Sequence, residues 1–170
     1  AAMAFGTGHH GTTLGCLRAF DRLLDQNYIF NNVLDLGCGT AVLAMAAARA
    51  SSINVIASDI DSIAVEVANA NIVANDLINR VTCIESIGFN DHDLLNAAPF
   101  DLIFANILKG PLIDLAPEIS SNLKIGGIVV LSGILTEQAA EVLGIYEAQG
   151  ITLLEREDDG EWVALTLLRG

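Results

Sequence analysis

The chain has 170 residues, 52% of them hydrophobic and 5% aromatic, which is enough for one domain with an aliphatic core. Its net charge of −13, with only eight Lys and Arg residues, argues against a nucleic-acid-binding surface, because phosphate binding needs clustered cations. The longest apolar runs, such as 41–48, are far shorter than the ~20 residues of a membrane span, so we predict no membrane segment.

The first half of the sequence alternates short apolar runs with longer runs of helix-forming residues. In chain order these predict a strand at 32–37, a helix at 41–50, a strand at 54–59, a helix at 62–76 and a strand at 80–85. Asp61 or Ser62 is suited to cap the second helix, since both residue types accept hydrogen bonds from its first free N–H groups.

The same alternation continues in the second half, after an irregular segment at 86–99. The predicted elements are a strand at 100–106, a helix at 111–123, a strand at 127–134, a helix at 136–150 and two last strands at 151–156 and 162–168. Pro117 is expected to kink or break its helix. Thr136 and Gly150 are expected to cap and to end the last helix.

This order of elements predicts an α/β fold, with a mostly parallel seven-stranded sheet covered by helices on both faces. The turn at 157–161 predicts that the last two strands form an antiparallel hairpin. In open sheets of this kind, ligands bind at the carboxyl ends of the strands. The residues that follow each strand are therefore the candidates for a functional site.

A glycine-rich turn follows the first strand, where Gly37 and Gly39 let the backbone approach a ligand without a Cβ clash. A dinucleotide fingerprint that starts at Gly37 needs a small residue at its last position, where this chain has the bulky Val42. A methyltransferase loop of the form D-x-G-x-G-x-G fits better, since its last position falls on Ala41. A tight turn without a ligand is the remaining alternative.

Two polar residues end other predicted strands. Asp59 ends the second, where a carboxylate can accept two hydrogen bonds from the ribose of either cofactor class; capping the next helix is the alternative. Asn106 ends the fourth, where its side-chain oxygen can accept a hydrogen bond from an amine and aim the nitrogen lone pair. The alternative for Asn106 is an Asx turn before a helix.

The cysteines and histidines predict neither a disulfide nor a metal site. Cys16, Cys38 and Cys83 are odd in number and widely spaced, which is typical of reduced thiols in a cytoplasmic protein. The stretch AFGTGHHGTT at 4–13 holds two adjacent histidines, which tend to point apart. It contains no lysine, so it does not match a phosphate-binding P-loop either.

Several stretches of the chain resemble one known family. In order they are AFGTGHHGTT, VLDLGCGTAVLA, ASDIDSIAVEVANAN, FDLIFANILKGPLIDLAPEI, VVLSGI and EWVAL, and they are similar to those of bacterial ribosomal protein L11 methyltransferases. The resemblance covers nearly the whole chain. It implies a Rossmann-like class I methyltransferase fold, S-adenosylmethionine as the cofactor, and methylation of lysine and N-terminal amines of a basic, lysine-bearing ribosomal protein.

The resemblance also implies the roles of individual residues. By position in the family motifs, the cofactor contacts are Phe5, Thr13, Gly37, Gly39, Asp59 and Asn106. Asn106 and the backbone carbonyl of Ile107 would orient the attacking amine. The stretch at 4–13 would cover the methionine end of the cofactor, with Thr12 or Thr13 capping the helix behind it.

Three positions depart from the family pattern. His9-His10-Gly11 stands where Thr-His-Pro is commoner, Ala41 where Gly is usual, and Lys109 where Ala is usual. A cation at 109 disfavours a nearby substrate ammonium unless its side chain points away.

The family carries a separate N-terminal domain that recognises the ribosomal protein, so 1–170 is expected to be the methyltransferase domain alone. Three other functions stay open at this point: a nicotinamide-dependent oxidoreductase, a cofactor-binding module without activity, and a methyltransferase of another protein or small molecule. The acidity itself has two interpretations, solubility and attraction to a basic partner.

Overall fold

A seven-stranded sheet forms the centre of the computed structural model, which describes residues 10–51 and 53–170. The strands are β1 (Val33–Leu36), β2 (Val55–Asp59), β3 (Val81–Glu85), β4 (Phe100–Asn106), β5 (Leu123–Leu135), β6 (Ile151–Asp159) and β7 (Trp162–Arg169). Their order across the sheet is β3-β2-β1-β4-β5-β7-β6. Neighbouring strands are parallel except where β7 pairs with β5 and with β6. The predicted parallel sheet and the predicted hairpin are both confirmed.

Helices cover both faces of this sheet, as predicted. They are α1 (His10–Asp25), α2 (Val42–Ala50), α3 (Ser62–Ala74), α4 (His92–Ala97), α5 (Lys109–Asp114), α6 (Ala116–Asn122) and α7 (Ala139–Ala148). Side chains of α1, α2 and α3 are buried against one face, and those of α4 to α7 against the other. Within the described residues, no helix combines the length and the apolar character that crossing a bilayer requires.

The central strand β4 shows why the strands read as continuous apolar runs. Leu102 and Phe104 are buried in the layer beneath α1 to α3, whereas Ile103 and Ala105 are buried in the layer beneath α4 to α7. Successive side chains of a strand point to opposite faces, and both faces are covered here. Successive side chains of β4 therefore alternate in the face to which they point, but both sets are apolar.

The segment at 86–99 is not irregular throughout, because it contains α4. The Asp91 side chain accepts hydrogen bonds from the backbone N–H groups of Asp93 and Leu94 at 2.8 and 3.1 Å, and so caps this short helix. Leu94 is fully buried and holds α4 against the sheet. The sequence prediction missed this helix.

The predicted helix at 111–123 is interrupted at Leu115, which separates α5 from α6. Pro117 lies in the first turn of α6, where its missing N–H has no helical partner to lose, so the predicted break is confirmed. The prediction for Thr136 is wrong: Leu135 precedes a 3-10 turn at Thr136–Gln138, and α7 starts after it. Gly150 has φ +81° and follows the last turn of α7, as predicted.

Helix α1 begins at His10, so residues 10–13 belong to a helix and not to a loop. Thr12 and Thr13 lie within its first turn and do not precede it as caps, contrary to the prediction. Thr12 is fully buried, and Thr13 is half-buried. Phe5 and residues 1–9 as a whole lie outside the described part of the chain.

Candidate functional site

A pocket of about 360 Å³ opens at the carboxyl ends of the parallel strands, near the point where the strand order reverses between β1 and β4. Its volume lies within the range of small-molecule sites, roughly 300–1,000 Å³. The wall is mostly apolar and includes Leu36, Ile107 and Leu115. The polar side chains that the described residues contribute lie at or just after the ends of β2 and β3: Ser58, Asp59, Asp61 and Ser86.

Two features of the pocket wall require a glycine at position 37: its backbone conformation and the closeness of a neighbouring side chain. Its φ of +69° lies in the left-handed region, which residues with a Cβ rarely adopt. A Cβ at this position would overlap Cγ2 of Ile107, the residue that follows β4. The ends of β1 and β4 therefore approach this closely only because residue 37 has no side chain.

Ala41 ends the glycine-rich turn and begins α2, with φ +66°. A left-handed backbone costs an alanine roughly 1–2 kcal/mol, which a glycine at this family position avoids. The methyl group of Ala41 is fully buried in the core beneath α2, and this burial offsets part of the cost. The methyl side chain of Ala41 cannot accept a hydrogen bond, so Ala41 does not cap α2. A side chain from β1 caps the helix instead.

Asp35 supplies that missing cap from within β1. Its Oδ2 accepts a hydrogen bond from the backbone N–H of Ala44 at 3.0 Å, in the first turn of α2. The side chain is 1% exposed. Burial raises the pKa of the Asp35 carboxyl to about 7; the Ala44 N–H opposes this rise, and the negative charge of Asp59 adds to it.

We expect Asp35 to make stability fall as pH rises from about 4 to 7. The folded chain retains a proton up to pH about 7, whereas the unfolded chain loses it at its ordinary pKa of 3.8, so rising pH favours unfolding. At about 1.4 kcal/mol per unit of pKa difference, the loss is on the order of 4 kcal/mol. Urea unfolding of the unaltered chain and of Asp35→Asn, which keeps the acceptor oxygen, measures it. Parallel pH profiles for the two proteins would contradict the assignment to Asp35.

The Asp59 carboxylate is held at the pocket by two backbone groups. Its Oδ2 accepts a hydrogen bond from Gly39 N–H and its Oδ1 accepts one from Asp61 N–H, both at 3.0 Å. Each oxygen keeps a further lone pair for a ligand hydroxyl. Helix α3 is capped instead by Asp61, whose Oδ1 accepts a hydrogen bond from Ile63 N–H at 2.9 Å. The cap predicted at Asp61 is confirmed, and Asp59 is free of that role.

Two buried side-chain oxygens at this end of the sheet have no hydrogen-bond partner among the residues that the structure describes. They are Oδ1 of Asn106, in a residue 5% exposed, and Oγ of Ser58, in a residue 1% exposed. Leaving such a group unpaired costs about 1–3 kcal/mol, so both positions are suited to bind a ligand. Ser58 lines the pocket; Asn106 and Thr13 are not among the described lining residues, although Asn106 directly precedes Ile107.

The sequence prediction missed two serines of the pocket: Ser58, the penultimate residue of β2, and Ser86, which follows β3. Ser86 Oγ donates a hydrogen bond to the Gly88 carbonyl at 2.9 Å and accepts one from Asp91 N–H at 3.2 Å, so it holds the loop after β3. The rule that ligands bind at the carboxyl ends of strands applies to both positions and could have selected them. In the described part of the chain, no three His, Cys, Asp or Glu residues are grouped so that they could hold a metal ion.

Lys109 is directed towards α7. Its Nζ lies 3.0 Å from Oε1 of Glu141, in a pair whose side chains are 36% and 58% exposed. Exposed pairs of this kind add roughly 0–1 kcal/mol of stability, so the pair matters here for where it holds the cation. The unusual lysine at 109 is therefore compatible with an amine that binds near Asn106.

Comparisons with known proteins place this chain in a family. The family described as "Ribosomal protein L11 methyltransferase (PrmA)" matches residues 1–169. A ribosomal protein L11 methyltransferase of Brucella abortus is 46% identical over 167 residues, which cover 98% of this chain and 58% of that protein. One from a Chelativorans species is 46% identical over 172 residues, which cover 99% of this chain and 58% of that protein. The chain thus spans less than two thirds of the length of these curated relatives.

Solved structures give the same result. The ribosomal protein L11 methylase from Lactobacillus delbrueckii subsp. bulgaricus superposes with a TM-score of 0.86 at 28% identity, over 95% of this chain and 80% of that one. A methyltransferase from Pyrococcus furiosus shares the fold, with a TM-score of 0.71 at 22% identity. The superposition covers 91% of this chain and 83% of that one. From the family match and the 46% identity to curated relatives, this chain belongs to the ribosomal protein L11 methyltransferase family.

Proposed function

We propose that the chain binds S-adenosylmethionine and transfers a methyl group to lysine and N-terminal amines of ribosomal protein L11, in the cytoplasm. One observation carries this proposal. A fixed carboxylate, a glycine turn and a buried amide oxygen that has no partner among the described residues lie at the same end of one sheet. The names of the relatives support the substrate. We further propose that 1–170 acts as the methyltransferase domain, and that substrate recognition uses additional residues.

The residues of the pocket fit this cofactor. The described residues leave each Asp59 oxygen one lone pair for a ribose hydroxyl, and the apolar wall around Ile107 and Leu115 suits a purine ring. Gly37 and Gly39 expose backbone to the remaining part of the molecule. When bound, the cofactor supplies a methyl group on a sulfonium, which is already activated for displacement.

Asn106 and Ile107 would prepare the amine that receives the methyl group. Oδ1 of Asn106 and the carbonyl oxygen of Ile107 accept its N–H groups, which aims the nitrogen lone pair. A lysine amine has a pKa of about 10.4 in water, and burial beside this apolar wall lowers it towards the neutral, reactive form. Holding the reacting atoms in line is worth roughly 7–11 kcal/mol at the ideal limit, so we assign no general base.

We expect S-adenosylmethionine to stabilise the chain by ~2.7 kcal/mol at a concentration about 100 times its Kd. Asp59→Ala removes charge-assisted hydrogen bonds worth about 1.5–3 kcal/mol each, so it should reduce this stabilisation without unfolding the chain. Thermal unfolding with and without cofactor measures both effects. Glu66→Ala, which removes an exposed carboxylate from α3, is the control for charge.

The same measurement tests the proposal against its nearest rival. A chain stabilised by NAD but not by S-adenosylmethionine or its demethylated product would be a nicotinamide-dependent protein, and the proposed function would be wrong. Equal cofactor affinity of Asp59→Ala and the unaltered chain would remove Asp59 from the site while leaving the cofactor assignment intact.

A further inference from the structure

Two free cysteines that are distant in sequence meet beneath the glycine turn. The Sγ atoms of Cys38 and Cys83 are 3.8 Å apart. Cys38 lies in the turn after β1 and reaches across β2, where its N–H donates a hydrogen bond to the Ser58 carbonyl at 2.8 Å. Cys83 lies on the adjoining strand β3. A disulfide has an S–S bond of about 2.05 Å, so a small shift of one side chain or of the turn would join the two sulfurs.

The two thiols differ in a way that assigns them different roles. Cys83 is half-buried, whereas Cys38 is 8% exposed. The two sulfurs share a hydrogen bond that either thiol can donate. When Cys38 donates it, the bond lowers the pKa of the Cys83 thiol and raises that of Cys38. Burial and the carboxylates of Asp35 and Asp59 raise the pKa of Cys38 further. Cys83 is thus the more exposed of the two thiols and the one that ionises more readily, so a dissolved oxidant reacts with it first.

We propose that Cys38 and Cys83 form a reversible disulfide in the presence of a peroxide, and that this bond weakens cofactor binding. The Cys83 thiolate attacks one peroxide oxygen, the O–O bond breaks, and a sulfenic acid and hydroxide form. The Cys38 sulfur then attacks the Cys83 sulfur, the S–O bond breaks, and a second hydroxide leaves as water with the Cys38 proton. Two thiols lose two electrons, and hydrogen peroxide is reduced to two molecules of water. A dithiol reductant reverses the reaction by thiol–disulfide exchange.

The bond would act on the pocket through the glycine turn, a step that rests on the proposed function. Cys38 is flanked by Gly37 and Gly39, whose φ angles of +69° and +54° define the conformation of the glycine turn. Gly39 N–H is one of the two donors that hold the Asp59 carboxylate. Drawing Cys38 towards β3 therefore displaces a support of the carboxylate that would bind the ribose.

The third cysteine is not part of this pair. Cys16 lies in α1, is fully buried, and its pKa is raised chiefly by that burial. It should stay a thiol when the other two react, so it serves as an internal reference.

The test is to treat the chain with an equimolar amount of hydrogen peroxide. Peptide mass spectrometry should then show Cys38 linked to Cys83 and Cys16 unlinked, and thiol titration should show two thiols lost and then regained with dithiothreitol. Calorimetry with S-adenosylhomocysteine should show a Kd about tenfold higher for the oxidised chain, as expected for the loss of about one hydrogen bond.

Two variants act as controls. Cys83→Ser should bind the ligand like the reduced chain and should show no change in Kd after peroxide; Cys16→Ala should keep both the disulfide and the change in Kd. Oxidation of Cys83 to a sulfinic acid without a link to Cys38 would overturn the proposal, and so would an unchanged Kd in the linked chain. Failure of the reduced chain to bind the ligand would instead contradict the proposed function, while mass spectrometry still decides whether the bond forms.

Discussion

Gly37→Ala is expected to abolish cofactor binding and to destabilise the chain by roughly 2–5 kcal/mol. A left-handed backbone costs an alanine about 1–2 kcal/mol, and overlap of its Cβ with Ile107 adds about 1–3 kcal/mol. To relieve the overlap, either the glycine turn or the Ile107 side chain has to move, and both form part of the pocket wall. Urea unfolding gives the change in stability, and calorimetry with S-adenosylhomocysteine gives the change in affinity.

Gly144→Ala is a matched control for this substitution. Gly144 lies within α7, where an added Cβ has open space and where alanine favours the helix by about 0.5–1 kcal/mol. The double variant Gly37→Ala with Ile107→Ala removes the overlap but not the strained φ, so it should recover part of the stability. A Gly37→Ala chain that is as stable as the unaltered chain and binds the cofactor equally well would show that the turn does not form the site.

Asn106→Ala is expected to lower methyl transfer about a hundredfold while leaving cofactor affinity nearly unchanged. Asn106 Oδ1 is buried and unpaired within the described residues, so its proposed partner is the amine and not the protein. Losing a contact that aims the nitrogen is comparable to a misplacement of about 1 Å, which can cost about 10²-fold in rate. Single-turnover transfer to ribosomal protein L11 measures the rate, and calorimetry measures the affinity.

The control for this variant is Asn69→Ala, which removes the same side chain from an exposed position on α3. It should transfer methyl groups at the unaltered rate. Normal transfer by Asn106→Ala together with weakened cofactor binding would reassign Asn106 to the cofactor alone. Asn106→Ala should lose little stability, because it also removes from the interior a polar oxygen that has no partner among the described residues.

The fold could be predicted from the sequence because its strands are signalled locally. Runs such as 100–106 are mostly apolar, and β4 is found with the predicted bounds. Gly37 and Asp59 could be predicted for the same reason, since each follows or ends such a run and the carboxyl ends of parallel strands meet at one edge. Whether these residues contact the cofactor and the amine stays a prediction.

The features that escaped prediction depend on contacts between distant segments or on short local signals. Helix α4 has only six residues, too few for a helical period to stand out, although Asp91 is a recognisable cap. The proximity of Cys38 and Cys83 arises because the turn after β1 crosses the end of β2, which no spacing in the sequence reveals. The pairing of Lys109 with Glu141 likewise depends on how α5 and α7 pack.

The position of β7 between β5 and β6 has a consequence for how the chain folds as it is synthesised. Among the described strands, β6 pairs only with β7, and the outer edge of β5 is covered only by β7. Neither is complete until residues 162–169 have left the ribosome. A nascent chain that has already assembled β1 to β5 presents an unpaired strand edge next to Val129 and Leu131, which are buried in the finished sheet. Such edges attract other strands, so the chain is prone to aggregation at this stage, until β7 covers the edge.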